Sequence, residues 1–187
     1  MEKFQNKYRI PPARLYCYDY SSQGLYFITI CTKDRIPFFG NIENGYMTLN
    51  KLGEVVTEEW LKTPTIRSDM NLELGEFVVM PNHFHGIISI GENMYNSEIQ
   101  YNETQNSQIL SLREWQENKF QPQRKNLASI VRGFKSAITQ FAKIHNIDFA
   151  WQSRYYDRVI RDFNELENIS NYIIKNPSNW KNDEYIV

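Results

Sequence analysis

Hydrophobic and polar positions change period several times along the chain, and each change predicts an element. Residues 25–32 are rich in β-branched and aromatic side chains, which favour a strand. A shorter strand is predicted at 45–50. Residues 72–80 and 83–90 predict two further strands, with Pro81 and Asn82 between them forming either a bend or a turn.

Two segments show the 3–4 residue spacing of an amphipathic helix. In the first, Asn50 is placed to cap a helix from Lys51 to about Lys62, and Pro64 is expected beyond its end. In the second, Asn126 is placed to cap a helix that runs to about Ile144. His145, directly after it, is expected at the helix end, where a cation suits the helix dipole.

The C-terminal part of the chain predicts one strand and one helix. Residues 149–161 are interpreted as an extended, strand-like segment. A last helix is predicted to start near Asn164, where Glu167 three residues later makes a capping-box-like pair. It is predicted to end at Pro177, which cannot continue it.

The predicted order is strand, helix, strand, strand, helix, strand, helix. The first six elements match a ferredoxin-like split βαβ arrangement, so the predicted class is α+β. We expect an antiparallel sheet with helices on one face, plus a C-terminal helix, in a single domain over residues 1–187. Residues 91–122 are polar without a sustained period and predict an exposed insertion or loop, with a short helix at 109–112 as a further expectation.

Composition narrows the function classes. Among 187 residues the formal net charge is −1, so any nucleic-acid contact needs a local basic patch. The two cysteines, Cys17 and Cys31, form no CxxC pattern, which argues against a zinc module. We find no signal-peptide pattern and no apolar run near the roughly 18 residues of a membrane span. A soluble cytoplasmic protein without a membrane partner is therefore expected.

The most informative motif is a histidine pair at the start of the strand predicted at 83–90. Side chains two residues apart in a strand project from the same face, so His83 and His85 are expected side by side, with Phe84 on the opposite face. Two converging imidazoles are able to chelate a divalent metal. The chain has three histidines, and two of them are in this motif.

The last predicted helix carries a second candidate pair, Tyr172 and Asn176. Residues four apart in a helix face the same way, and Tyr172 borders the apolar stripe. A tyrosine is a possible covalent nucleophile, and attack on a phosphodiester needs a metal or cation to neutralise developing charge. Two imidazoles and one amide oxygen would supply three ligands to Mg²⁺ or Mn²⁺.

Other aromatic and basic residues leave alternatives open. Tyr155 and Tyr156 are rival nucleophiles, although strand packing against Trp151 is the preferred interpretation; base stacking is another possibility. Five cations form either a solvated face or a phosphate-binding surface: Arg132, Lys135, Arg154, Arg158 and Arg161.

Several motifs together resemble one protein family. They are residues 78–88 with the His-hydrophobic-His pattern, Trp151-Gln152, residues 155–161, residues 172–177 and residues 18–32. Jointly they are similar to the REP-associated tyrosine transposases, a branch of the single-tyrosine transposases of insertion sequences. The similarity covers most of the chain except residues 91–122.

The resemblance implies a ferredoxin-like fold and a mechanism. A divalent metal on His83 and His85 would bind the scissile phosphate of single-stranded DNA, and Tyr172 would attack it to give a 5′-phosphotyrosine and a free 3′-OH. Asn176 matches the polar residue that completes the metal site, where insertion-sequence relatives often have Gln. The implied partner is single-stranded or hairpin DNA, including repetitive palindromic elements.

Two alternatives and the oligomeric state stay open at this stage. One alternative is a non-catalytic module for single-stranded or hairpin nucleic acid on the same fold. The other is a nicking enzyme of replication initiation or plasmid transfer, against which the short chain argues. The sequence is compatible with a monomer or a homodimer.

Overall fold

A computed structural model describes residues 18–97, 124–183 and Tyr185 of the chain. Nine helices and strands within these residues are numbered in chain order. The strands are β1 (Gly24–Cys31), β2 (Gly40–Glu43), β3 (Tyr46–Leu49), β4 (Leu72–Val79), β5 (His83–Ile90) and β6 (Tyr156–Ile160). The helices are α1 (Lys51–Ile66), α2 (Leu127–Ile144) and α3 (Phe163–Lys175).

Four of the strands form an antiparallel sheet in the order β4-β5-β1-β6. The chain passes from β1 through α1 to β4, and from β5 through α2 to β6. In both cases the two strands are not adjacent in the sheet, because one other strand lies between them. This is the predicted ferredoxin-like split βαβ order, and the α+β class is confirmed. Pro81 and Asn82 form a turn rather than a bend, since Met80 N–H donates to the His83 carbonyl at 2.8 Å.

Both faces of the sheet are covered, but by different helices. Alternate side chains of β1, such as Tyr26 and Ile28, pack with α1 and α2 in the larger core, where Trp60 and Phe84 are fully buried. The intervening side chains face α3, where Phe27, Ile87, Ile160 and Ile173 form a smaller cluster. The helices expected on one face are therefore α1 and α2, and the C-terminal helix covers the opposite face.

Helix α1 is longer than predicted because Pro64 lies inside it. Asn50 caps the helix as expected, its side chain accepting from Gly53 N–H at 3.0 Å. Pro64 has no N–H to donate to the Trp60 carbonyl, yet Arg67 N–H still bonds to the Thr63 carbonyl at 3.1 Å. The loss of one hydrogen bond in the last turn does not end α1, because the apolar face of this helix is buried.

The C-terminal elements are also shifted from the prediction. Only Tyr156–Ile160 of the predicted extended segment forms a strand of the sheet, while Trp151 makes an isolated bridge with Thr32. Helix α3 begins two residues early, since Asp162 rather than Asn164 caps it by accepting from Glu165 N–H at 2.8 Å. Glu165 in turn accepts from the N–H of Arg161, one residue before the cap, so side-chain contacts form around Asp162 and not around the predicted pair Asn164 and Glu167.

The remaining expectations concern the hairpin, α2 and the insertion. Strand β2, which the hydrophobic pattern did not predict, pairs with β3 through Asn44 and Gly45. Asn126 caps α2 and His145 lies at its end, both as predicted. Residues 98–123, including the predicted short helix at 109–112, lie outside the described residues. None of the helices described is long and apolar enough to cross a membrane.

Candidate metal and nucleophile site

The two histidines lie on the face of the sheet that α3 covers. In the register of the central strands, His85 is opposite Thr29 and His83 is opposite Cys31. The two imidazole centroids are 4.5 Å apart, and both side chains are buried. Phe84 points into the opposite core, so the side-by-side geometry expected from strand alternation is present.

The turn residue Asn82 fixes the orientation and tautomer of His83. Its amide nitrogen donates to the carbonyls of Arg35, at 3.0 Å, and Tyr185, at 2.7 Å. Asn82 Oδ1 must then be the acceptor of its 2.8 Å bond with His83 Nδ1. In the neutral ring this places the proton on Nδ1 and the lone pair on Nε2, the atom that a metal would need.

Two hydroxyl groups hold the imidazole ring of His85 in place. Its Nδ1 lies 2.8 Å from the Thr29 hydroxyl, and its Nε2 lies 3.1 Å from the Tyr172 hydroxyl. Both hydroxyls are able to donate or accept, so ligation of a metal through Nε2 requires the tautomer in which Nδ1–H donates to Thr29 Oγ1. In that tautomer both rings direct Nε2 lone pairs away from their Nδ1 atoms.

Burial keeps both imidazoles neutral. It lowers the pKa of His83 to about 3, against a smaller raising effect of the Asn176 side chain and a further lowering by the charge of Arg35. Burial also lowers the pKa of His85 well below its ordinary value, with a smaller contribution from His83. Neutral imidazoles bind a metal without first releasing a proton.

Helix α3 brings Tyr172 and Asn176 to the histidine pair. Asn176 keeps helical φ and ψ of −57° and −45° although Pro177 follows it, so it stays one turn beyond Tyr172 on the same face. Tyr172 is 41% exposed and Asn176 is buried. Both line an open pocket of about 660 Å³, together with Phe27, Thr29, His85, Tyr156, Asn179, Asp183 and Tyr185.

Among the described residues, two buried polar atoms at this site have no hydrogen-bond partner. They are His83 Nε2 and Asn176 Oδ1, and the Asn176 amide is near enough to His83 to affect its pKa. Asn176 Nδ2 donates to Asp183 Oδ2 at 2.9 Å, which leaves Oδ1 as the unused end of the amide. Two lone pairs without a donor are unfavourable when buried, and a divalent cation would satisfy both.

The donor set fits a hard or borderline divalent metal with open positions. Within the described residues no group of three or more His, Cys, Asp or Glu side chains converges as a metal site. The protein ligands would thus be the two imidazoles and the Asn176 amide oxygen. Such a set leaves coordination positions for water or phosphate oxygens.

Four residues of the site were not singled out from the sequence. Thr29 and Asn82 orient the histidines, Asp183 orients the Asn176 amide, and the Tyr185 ring lies 4.7 Å from the His83 ring. The strand register that places Thr29 opposite His85 was predictable in principle once β1 and β5 were paired. Asp183 and Tyr185 gave no signal, because they follow the last predicted helix in an irregular segment.

The rival tyrosines differ in location. Tyr156 is 44% exposed, lines the same pocket as Tyr172 and packs edge-on to Phe27. Tyr155 is half-buried and packs against the larger core, as does Trp151. Packing was the preferred interpretation for both tyrosines; Tyr155 follows it, and Tyr156 is the one that reaches the pocket.

The five predicted DNA-binding cations do not form one patch at the pocket. Arg132 and Lys135 are on α2, across the sheet from Tyr172, and half-buried Lys135 donates to the Gln152 carbonyl at 2.6 Å. Burial lowers the pKa of Lys135. Exposed Arg158 pairs with Glu165, and exposed Arg154 and Arg161 lie on either side of β6. Their role in DNA binding stays a prediction.

Comparison with known proteins supplies a relative and a fold. No family model matches the chain. An uncharacterized protein of Haemophilus influenzae is 38% identical over 178 residues, which cover 93% of this chain and 91% of the relative. The solved structure of a REP-associated tyrosine transposase bound to a REP hairpin aligns over 92% of this chain and 76% of that chain, with 17% identity and a TM-score of 0.53. The chain therefore belongs to the same family as the Haemophilus influenzae protein and has the fold of a REP-associated tyrosine transposase, as its motifs predicted.

Proposed function

We propose that this protein is a metal-dependent enzyme that nicks and rejoins single-stranded DNA with Tyr172 as nucleophile. The observation that carries the proposal is the 3.1 Å contact between Tyr172 Oη and His85 Nε2. This contact joins a partly exposed phenol in an open pocket to one imidazole of the buried pair. A tyrosine that served only in packing would not require a hydrogen bond to a buried imidazole.

The metal would be Mg²⁺ or Mn²⁺, held by His83 Nε2, His85 Nε2 and Asn176 Oδ1. Mixed nitrogen and oxygen ligation favours Mn²⁺, since Mg²⁺ prefers oxygen. When bound, the ion would polarise a phosphate and neutralise the charge that develops on it. The support for this assignment is the pair of buried atoms without a hydrogen-bond partner among the described residues, together with the His83 tautomer that Asn82 sets.

The chain's own residues carry the covalent step. Tyr172 Oη forms a bond to phosphorus, and the bond from phosphorus to the 3′-oxygen of the preceding nucleotide breaks in line with it. The phenol proton is released and the departing 3′-oxygen takes one up, so no net proton is consumed. The 5′-phosphotyrosine conserves the bond energy, which permits attack by a different 3′-OH and hence strand transfer.

Hairpin DNA is the substrate that the fold favours. The REP-associated transposase that shares this fold was solved with a REP hairpin, and tyrosine attack needs a strand whose backbone enters the pocket. An open pocket of about 660 Å³ admits an unpaired nucleotide more readily than a duplex. We therefore place the cleaved phosphodiester in single-stranded DNA beside a hairpin.

The test is formation of a covalent adduct that resists denaturation. Labelled hairpin DNA from repeats flanking the gene is incubated with the protein and Mn²⁺ or Mg²⁺, with and without a chelator. Wild type is compared with Tyr172→Phe and with the matched control Tyr156→Phe, since both tyrosines line the pocket and are similarly exposed.

We expect an adduct with wild type and with Tyr156→Phe, and none with Tyr172→Phe or after chelation. An adduct that persists in Tyr172→Phe and disappears in Tyr156→Phe would transfer the nucleophile to β6. Hairpin binding without an adduct in wild type, across several substrates and both metals, would favour the non-catalytic binding module instead.

A further inference from the structure

A second pocket, of about 790 Å³, lies at the end of β1 beyond the histidine pair. Two segments line it, residues 32–35 and residues 151–153. The walls are joined through the backbone, because Lys33 N–H donates to the Ala150 carbonyl at 2.8 Å and Gln152 N–H donates to the Cys31 carbonyl at 2.9 Å. These hydrogen bonds hold the two walls together at the end of the central strand β1.

The side chains of this pocket carry one net positive charge, from Lys33 and Arg35 against Asp34, and include an aromatic ring and an amide. Lys33, Arg35 and Gln152 are exposed, and Trp151 is half-buried. The Trp151 indole is anchored from behind, since its Nε1–H donates to the Lys135 carbonyl at 3.2 Å and its ring packs on Phe149. Cations beside a held aromatic ring are the combination with which proteins bind unpaired nucleotides, through phosphate attraction and base stacking.

The pocket shares no lining residue with the histidine site, but the two are linked through Asn82. The Asn82 side chain bonds both to the Arg35 carbonyl and to His83 Nδ1, so one residue connects the two sites. The Arg35 guanidinium lies 5.3 Å from the centroid of the Tyr185 ring, which itself packs on His83.

We propose that the pocket between residues 32–35 and 151–153 is a binding subsite for an unpaired nucleotide next to the cleaved phosphodiester. Lys33 and Arg35 contact its phosphate, Trp151 stacks on the base, and the Gln152 amide reads a base edge. This subsite rests on the proposed function, because it assigns a further part of the same strand. Its role is to position the strand, so that the scissile phosphate meets Tyr172.

The test separates strand binding from chemistry. Anisotropy of a labelled hairpin with an unpaired flank is measured in chelator for wild type, Lys33→Gln and Gln152→Ala. The control is Lys62→Gln, which removes the same charge from an exposed position on α1 that pairs with Glu59. We expect Lys33→Gln and Gln152→Ala to raise Kd several-fold, and Lys33→Gln to lower the slope of log Kd against log salt by about 0.7.

A second readout locates the base. Oligonucleotides with a photoreactive base at successive flank positions are crosslinked in chelator, and we expect one position to label the peptide that contains Trp151. Affinities of both variants equal to that of Lys62→Gln, with no labelling at Trp151, would overturn the subsite.

The two proposals fail in distinguishable ways. A normal Tyr172 adduct with no effect at Lys33 or Gln152 contradicts the subsite alone. Lys33-dependent binding and Trp151 labelling without any adduct supports the subsite and contradicts the catalytic proposal. Absence of both binding and adduct in wild type contradicts both.

Discussion

The two faces of the central sheet are built from alternate residues of the same strands, yet they bury very different side chains. On the face of α1 and α2, Phe84 packs between Trp60 and Phe134, with ring centroids 4.8 and 5.2 Å away. On the face of α3, its neighbours His83 and His85 are just as buried but are hydrogen-bonded to the Asn82 amide and to the Thr29 and Tyr172 hydroxyls. A shift of one residue along β5 separates a packing position from a candidate ligand.

This difference indicates what each face contributes. The apolar face stabilises the fold through burial of large side chains, which requires no ligand. The polar face buries imidazole and amide groups, which lose their contact with water. Among the described residues, His83 Nε2 and Asn176 Oδ1 have no hydrogen-bond partner to compensate for this. We therefore expect changes on the first face to alter stability and changes on the second to alter metal binding and reaction.

The largest effect on stability is expected from Phe84→Ala. Removal of this fully buried ring leaves a cavity against Trp60 and should lower the free energy of unfolding by about 3–5 kcal/mol. Urea denaturation in the presence of a chelator measures this change in unfolding free energy. Phe163→Ala is the control, because this ring is 75% exposed and its loss should change stability by less than about 0.5 kcal/mol. Equal effects of the two substitutions would contradict the assignment of Phe84 to the core.

The reciprocal change is His83→Asn. It removes one Nε2 ligand and should weaken Mn²⁺ binding by more than about 100-fold, beyond the range found for outer-shell partners. Titration calorimetry measures this, with His145→Asn at the exposed end of α2 as control. His83→Asn should lower the free energy of unfolding by less than Phe84→Ala does. Unchanged Mn²⁺ affinity would remove His83 from the proposed ligand set.

Asp183 is expected to act on the metal through Asn176. Without the 2.9 Å acceptor for Nδ2, the amide is free to rotate, so Asp183→Ala should weaken Mn²⁺ binding by about 10–100-fold. Asp183→Asn retains an acceptor oxygen and should restore part of the affinity, which a purely structural loss would not explain. Asp148→Asn, at an exposed position after α2, serves as the control.

The smallest effect concerns pH. Because the pKa of His83 falls from 6.5 unfolded to about 3 folded, the unfolded chain binds more protons between these values. The stability of the metal-free protein should therefore be full above pH 6.5 and decrease by about 1.4 kcal/mol per pH unit below it for this residue. Urea denaturation at pH 7.0, 6.0 and 5.0 tests this, and His83→Asn should make the decrease less steep, with His85 responsible for the remainder. A profile that is identical with and without His83 would contradict the buried neutral imidazole.

The polar face was also the less completely predicted one. Strand alternation at 83–85 and helix spacing at 172–176 are local periodic signals, so the histidine pair, Tyr172 and Asn176 were identified from the sequence. Thr29, Asn82 and Asp183 enter the site through strand register, a turn and an irregular C-terminal segment. These depend on tertiary contacts and have no periodic signature.

The missed fold details have local causes as well. The β2–β3 hairpin turns through Asn44 and Gly45, with φ of 52° and 81°. Asn-Gly is a typical hairpin turn, but the four-residue strands beside it are too short to show a clear hydrophobic alternation. The end of α1 was placed before Pro64 because proline usually stops a helix, whereas packing of Trp60 and Thr63 sustains one more turn. The shift of the α3 cap to Asp162 reflects two candidate capping pairs within three residues.

The most direct test of the proposed metal site is pulsed EPR of the protein with added Mn²⁺ and ¹⁵N-labelled histidine. The account predicts hyperfine coupling from two imidazole nitrogens in wild type, one in His83→Asn, and two in His145→Asn. Mn²⁺ that binds without any histidine coupling would contradict the central claim that His83 and His85 together hold the metal beside Tyr172.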